Sequence, residues 1–384
     1  MGEKMIYLDN AATTKVSDKV LKAMLPYLKE SYGNAGSLHS LGRDSYNAVQ
    51  RAREQVAKFI NADPEQIIFT SGGTEANNMV FYRSNGYTDS HVAIVSAGEH
   101  ESVLKAAGRY YRRLIVPLRE NGTANLEILQ KLLSENHADI VSVMYANNEI
   151  GSINPVGFFA ETCHEYGVPF HTDAVQAAGF IPLNVDEIGC DFMSISSHKI
   201  HGPKGVGALY VKNPHDFIPM ICGGNTQEFG KRGGTENVAG IVGFGKACEL
   251  AGESLKGSRE YISLLSKTFL ESLSKELRRF GVPSFHINGL NKSSSSKTWN
   301  IRFDGISNET LLVMLDAHNI CVSAGSACTS SDHKASHVLT AIGLSEEQAN
   351  NSIRVSFSDT NTVEDVLRAA HTIAECVKMI RDFR

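Results

Sequence analysis

The chain has 384 residues, 42% of them hydrophobic and 21% charged, with a formal net charge of −5. That is the composition of a soluble globular protein with room for one large core and one smaller one. The acidic balance gives no sign of a basic nucleic-acid face or a polybasic membrane patch, and no run of about 18 apolar residues is present to span a bilayer.

The N-terminus, Met1-Gly-Glu-Lys-Met-Ile-Tyr-Leu-Asp9, enters a strand directly and carries neither a signal-peptide apolar region nor a transit-peptide composition. Seven cysteines are scattered without a CxxC pair. This argues against a disulfide framework or a structural zinc site and predicts a reducing, cytoplasmic setting. Ser17 starts an amphipathic helix with Val20, Leu21, Met24, Leu25 and Leu28 on one face, and a second helix covers roughly residues 40–60. From there the chain alternates. Short apolar strands are predicted at Gln66–Thr70, His91–Ser96, Ile140–Met144, Pro169–Thr172, Phe192–Ser196 and Ala208–Val211, with helices starting near Thr74, Glu101, Asn125 and Pro155. Such alternation predicts an α/β fold, a mostly parallel sheet covered on both faces by helices.

After about residue 255 the pattern changes to a long charged helix over roughly 255–280. Strand-like segments follow at Ser284–Ile287, Thr298–Phe303, Ile320–Ser323 and Ser352–Phe357, with helices near 308–317, 334–342 and 361–381. This reads as a smaller α+β unit. Lys292-Ser-Ser-Ser-Ser-Lys297 reads as a flexible polar loop.

In open α/β sheets, ligands bind outside the carboxyl ends of the strands. Five predicted strands deliver polar residues there: Ser71-Gly-Gly-Thr-Glu-Ala76, Gly98-Glu-His100, Asn147-Asn-Glu-Ile-Gly151, Asp173 with Gln176, and Ser196 with His198 and Lys199. Any one of these fits an ordinary cap or turn, and Lys199 alone fits a snorkelling loop lysine equally well. Together they suit pyridoxal phosphate. Gly72, Gly73 and Thr74 open a helix whose free N–H groups would hold a phosphate, with a further hydroxyl from Ser196. Asp173 would keep the pyridine nitrogen protonated, His100 would stack on the ring, and Lys199 would join the cofactor's carbonyl carbon.

A set of motifs carries a wider resemblance. Tyr7-Leu-Asp-Asn-Ala-Ala-Thr-Thr14, Gly33-Asn34, Thr70-Ser-Gly-Gly-Thr-Glu-Ala-Asn-Asn78, Asn147-Asn-Glu-Ile-Gly151, His171-Thr-Asp-Ala-Val-Gln176, Ser197-His-Lys-Ile-His-Gly-Pro-Lys-Gly205, Gly233-Gly-Thr235 and Ser323-Ala-Gly-Ser-Ala-Cys328 follow one another in order. Across essentially the whole chain this resembles the NifS/IscS-like cysteine desulfurases, pyridoxal-phosphate enzymes of the class V aminotransferase group. The resemblance implies fold type I and a homodimer with active sites near the subunit interface. A large unit over 15–255 would bind the cofactor, and a small α+β unit, formed by 1–14 and 256–384, would carry a mobile cysteine loop. By motif position, Lys199 would be the Schiff-base lysine, Asp173 the pyridinium partner, and His100 the stacking residue that also assists proton transfer. Gln176 would bond the ring hydroxyl, and Gly73, Thr74, Ser196 and His198 would hold the phosphate. Thr235 would reach the phosphate of the neighbouring subunit. Asn148 and Arg354 would bind the substrate carboxylate. Two departures from the family pattern stand out: Ala335 replaces a common proline, and the Gly223–Thr235 segment is one residue longer.

Lys199 does not by itself define a reaction. Cys328 does more, because it sits in a Gly/Ala/Ser-rich loop suited to collecting sulfur inside a pocket and delivering it outside. The implied reaction converts L-cysteine to L-alanine, leaves a persulfide on Cys328, and passes the sulfur to an acceptor protein for iron–sulfur cluster assembly or thiolation. No direct membrane or nucleic-acid binding is expected. The alternatives are a selenocysteine lyase, another class V aminotransferase, or a silent scaffold of the same fold. His333 and His337 have helical spacing for a metal, yet no fourth ligand accompanies them, and no metal is expected.

Overall fold

The structure is a computed structural model that describes residues 4–82, 86–224, 226–282, 285–289, 295–325 and 335–383. In chain order it runs β1 (Ile6–Tyr7), α1 (Asp18–Lys29), α2 (Ser40–Ile60), β2 (Ile67–Thr70), α3 (Gly73–Phe81), β3 (Thr88–Ser96), α4 (Glu101–Tyr110) and β4 (Tyr111–Val116). Then come α5 (Leu126–Glu135), β5 (Ile140–Ser142), α6 (Val156–Glu165), β6 (Phe170–Asp173), α7 (Val185–Ile188), β7 (Phe192–Ser196), β8 (Gly207–Val211) and α8 (Val238–Arg279). The remainder is β9 (His286–Asn288), β10 (Thr298–Arg302), α9 (Asn308–Ala317), β11 (Ile320–Cys321), α10 (His337–Ala341), α11 (Glu346–Asn350), β12 (Ser352–Ser356) and α12 (Val363–Asp382).

Seven strands form one sheet in the order β2-β8-β7-β6-β5-β3-β4. All neighbours are parallel except at β8, which runs antiparallel to both β2 and β7. An antiparallel return needs no crossover helix, so the turn between β7 and β8 stays short and holds Lys199 at the carboxyl end of β7. Strand β4 is absent from the sequence reading. It follows α4 without a break, and its exposed Arg112 and Arg113 interrupt the apolar signal. Charged residues on an edge strand also discourage pairing with another chain.

Helix α8 is longer than the predicted 255–280 segment, with 42 residues starting at Val238. Gly240, Gly243 and Gly245 weaken helix propensity and so hide its first turns from a sequence reading. Packing explains two of these glycines. A Cβ on Gly243 would lie 2.7 Å from Met24 Sδ of α1, and one on Gly245 would lie 2.7 Å from Ala52 Cα of α2. The early part of α8 joins the apolar cluster around the main sheet through Ile241, Phe244, Ala247 and Cys248. Its later part joins a second cluster through Ile262, Leu265, Phe269, Leu273 and Leu277, together with β10, β12, α12, Ile6 and Leu8. The helix near 334–342 is shorter than expected and starts at His337, capped by Ser336. The strand expected at Ser284–Ile287 lies at His286–Asn288. Lys297 is buried rather than part of a solvated loop.

A buried ion pair ties α2 to the sheet. Glu228 accepts from Arg53 Nη2 at 2.7 Å, from Arg53 Nη1 at 2.9 Å and from the Phe69 amide at 2.7 Å. Arg53 Nη1 also donates to the Ile67 carbonyl at 2.6 Å. Removing one partner of a buried pair leaves the other charge uncompensated. Glu228→Gln is therefore expected to lower the unfolding free energy by about 3 kcal/mol, read from a denaturant titration. A midpoint unchanged from the parent protein would refute this role.

Candidate active site

A cavity of about 200 Å³ opens at the carboxyl ends of the parallel strands. Gly73, Thr74, His100, Asn148, Asp173, Gln176, Ser196, His198, Lys199 and Arg354 all line it. Ten of the twelve residues expected at the site are thus brought together. Thr235 is exposed and lies outside the described wall. Cys328 lies outside the described residues, as does His333.

Lys199 Nζ donates to the carbonyls of Ala11 at 2.5 Å and Ala12 at 2.8 Å. Both belong to the Tyr7–Thr14 segment, and Gln176 Nε2 donates to the same Ala11 carbonyl at 2.8 Å. Burial lowers the Lys199 amine from the ordinary lysine range to about 7, helped by the positive charges of Arg354 and Lys297. An amine so placed is a free base and a nucleophile near neutral pH.

Asp173, at the end of β6, is buried, and its two oxygens accept from Asn77 Nδ2 at 2.8 Å and from the Val175 amide at 3.0 Å. Asn77 also donates to Ser102 Oγ at 2.9 Å, which connects the carboxylate to the start of α4. His100 caps α4. Its Nδ1 accepts from the Ser102 amide at 3.1 Å, so the neutral ring carries its proton on Nε2. Burial lowers the His100 pKa, opposed by Asp173 and reinforced by Lys199. His198 is lowered to about 4, first by burial and then by Lys199 and Lys204, and its Nδ1 lies 3.1 Å from Thr13 Oγ1.

Arg354, on β12, is fully buried. Its Nη2 donates to Asp9 Oδ1 at 2.7 Å and its Nη1 to the Asn148 carbonyl at 3.2 Å, while Nε has no partner. A guanidinium with donors to spare at a cavity wall suits a carboxylate ligand. Ser323 pairs with Arg354 across an isolated bridge, and Ser336 Oγ donates to Glu149 Oε2 at 2.5 Å. The chain on either side of residues 326–334 is therefore fastened beside Arg354 and Asn148. His337 donates to the Glu99 carbonyl at 3.0 Å, its ring thus engaged by protein.

Three residues escape a sequence reading. Asn77 and Glu149 act only through contacts between distant segments. Glu99 is fully buried between Ser96 Oγ at 2.6 Å, the Met144 amide at 2.5 Å and Ser142 Oγ at 3.1 Å, and burial raises its carboxyl to about 7. Its signal in the sequence is its place three residues after β3 and one before His100.

The residues present fit pyridoxal phosphate. Ser196 Oγ is buried with no hydrogen-bond partner, an orphan donor beside the N-terminus of α3. A Cβ at Gly73 would come within 2.9 Å of Val175 Cγ2, so the helix opens on bare backbone. Asp173 offers a buried carboxylate to a ring nitrogen, and Lys199 an amine to a carbonyl carbon.

Comparison with known proteins agrees. Residues 6–368 match the class-V aminotransferase family. A cysteine desulfurase named IscS from Dictyoglomus turgidum is 40% identical over 99% of this chain and 96% of its own length. A cysteine desulfurase from Sinorhizobium fredii is 42% identical over 99% of this chain and 98% of its own. The X-ray structure of a NifS-like protein from Rickettsia africae superposes with a TM-score of 0.85 at 33% identity, covering 99% of this chain and 100% of that one. The chain therefore belongs to the class-V aminotransferase family and, within it, to the cysteine desulfurases, enzymes that depend on pyridoxal 5'-phosphate.

Proposed function

We propose that the protein converts L-cysteine to L-alanine, takes the sulfur onto Cys328 as a persulfide, and hands it to an acceptor protein for iron–sulfur cluster assembly or thiolation in the cytoplasm. The observation that carries this reading is one cavity wall holding Lys199, Asp173, His100 and Arg354, with the chain toward Cys328 leaving from Ser323 beside Arg354. Pyridoxal phosphate, when bound, supplies an electron sink that makes the substrate Cα–H acidic. Thr74, Ser196, His198 and the α3 N-terminus would hold its phosphate, Asp173 its ring nitrogen, Gln176 its ring hydroxyl and His100 its face.

The chain's own residues do the rest. Arg354 and the Asn148 side chain hold the substrate carboxylate and so aim the Cα–H and Cβ–S bonds. Lys199, with its lowered basicity, takes the Cα proton. The Cys328 thiolate attacks the substrate sulfur. An S–S bond forms, the Cβ–S bond breaks with its electron pair remaining on carbon, and protonation of Cβ followed by return of the Lys199 proton to Cα yields alanine. His100, protonated on Nε2 when neutral, is the group placed to assist that proton transfer.

Burial raises the thiols of Cys163 and Cys190 to about 12 and of Cys376 to about 11, and also raises Cys248 and Cys321. None of these is a ready thiolate. Cys222 is exposed but off the cavity wall, which favours Cys328 as the sulfur carrier.

A homodimer is part of the proposal. Leu21, Leu25 and Leu28 of α1, with Tyr32, Leu38 and Phe229, are large exposed apolar side chains, and such a surface suits burial against a second copy. Thr235 would there serve the partner's phosphate. The smaller unit, 1–14 with 256–384, would carry the Cys328 segment.

Measuring alanine and sulfide from L-cysteine with a thiol reductant tests the reading: equal yields without any keto acid are expected, and an absolute keto-acid requirement would overturn it. A pH dependence also follows. Lys199 is lowered to about 7, so it is charged below that value and a free amine above it. The rate at which apoenzyme captures pyridoxal phosphate should rise between about pH 6 and 8 and then level off. Continued steep rise toward pH 10 would mean an ordinary lysine.

A further inference from the structure

A second cavity, of about 350 Å³, lies behind Lys199, which lines both this space and the first one. Its walls come from distant parts of the chain: the Thr14–Asp18 segment entering α1, residues Lys199–His201, the Leu250–Ile262 stretch of α8, and Ser358–Thr360 after β12. Both apolar clusters contribute, Ile200 from one and Ile262 from the other. Lys297, immediately before β10, completes the wall.

Lys297 is only 6% exposed. Its backbone amide donates to Ser295 Oγ, whereas its Nζ has no hydrogen-bond or ion-pair partner among the described residues. The other charged groups facing this space are accounted for. Asp359 Oδ1 lies 3.4 Å from His201 Nε2, and Asp359 Oδ2 accepts from Ser258 Oγ at 2.7 Å. Lys199 is bonded to two carbonyls, and Lys15 and Asp18, the latter in the first turn of α1, are both exposed. Asp359 attracts the Lys297 ammonium, but from beyond ion-pair distance.

A buried ammonium without a partner is costly, and either loss of its proton or a counter-ion relieves that cost. Burial lowers Lys297 to about 8, opposed by Asp359, so at neutral pH the group is still mostly charged. The space beside it is many times the volume of a water molecule's share of the liquid, about 30 Å³. We propose that this cavity is a binding site for a small monovalent anion, a carboxylate or a halide, seated on Lys297. The site is coupled to chemistry because Lys297 is one of the positive charges that hold down the basicity of Lys199. An anion on Lys297 cancels part of that repulsion and raises the pH at which Lys199 gives up its proton.

The test uses the holoenzyme crystallised without halide and soaked in sodium bromide. An anomalous peak against Lys297 Nζ is expected in the parent protein and in Lys297→Arg, and its loss in Lys297→Met. Absence of the peak in the parent, or an equal peak in Lys297→Met, overturns the assignment. In solution, sodium acetate at constant ionic strength should shift the pH midpoint of the holoenzyme's visible absorbance upward in the parent and not in Lys297→Met. Equal shifts in both would refute the coupling. Lys297→Met replaces a buried amine with an apolar side chain of similar length, and retention of the cofactor spectrum shows that it has folded.

Discussion

Lys199→Ala is expected to abolish the visible absorbance of the lysine-bound cofactor and to lower cysteine turnover by roughly 10³-fold, within the range for a lost general base. Two observations converge on this size of effect. The amine is buried and lowered to about 7, and two carbonyls of the Tyr7–Thr14 segment fix its position at 2.5 and 2.8 Å. No other amine among the described residues lines the first cavity; Lys297 belongs to the second. On the proposed roles, loss of Lys199 removes both the covalent anchor and the base. Added ethylamine should restore part of the activity, which a merely structural defect would not permit. Unchanged absorbance in Lys199→Ala would transfer the role to another residue.

Cys328→Ala should behave in the opposite way. It is expected to retain cofactor, bind L-cysteine and exchange the substrate Cα proton with deuterated solvent, because the proposal assigns those steps to Lys199, Asp173 and Arg354. Alanine formation and sulfur transfer should fall by roughly 10³-fold or more, as for other lost nucleophiles. Losing solvent exchange along with alanine would mean that the cysteine is needed before sulfur transfer. Undiminished sulfide release would remove Cys328 from the mechanism.

The parts of this site that a sequence discloses are those tied to strand ends. His100, Asp173, Ser196 and Lys199 each follow a short apolar run, and parallel strands place such positions on one edge. The antiparallel return of β8 was visible only as a Gly/Pro-rich turn followed by a second apolar run. Asn77 reads as a surface residue one turn into a helix, and only the packing of α3 against β6 brings it to Asp173. Glu149 reads as a turn carboxylate, yet it is buried and accepts from Ser336, far along the chain. Lys297 ends a serine-rich run, a composition that signals solvent; its burial depends on α8 and the loop after β12 closing around it. Pairwise contacts between distant segments leave no local trace, and this accounts for each of these omissions. The glycines of α8 mislead for a related reason: their propensity penalty is local, while the close approach of α1 and α2 that requires them is not.

The proposed passage of sulfur through Cys328 is tested most directly by a single-turnover experiment. Holoenzyme in excess is mixed with sulfur-labelled L-cysteine without reductant, quenched, and its cysteine-containing peptides are mapped by mass. The prediction is one labelled sulfur on the Cys328 peptide for each alanine released, with none on the peptides of Cys222 or Cys321. Alanine released in full while the label appears only as free sulfide, or on a cysteine other than Cys328, would contradict it.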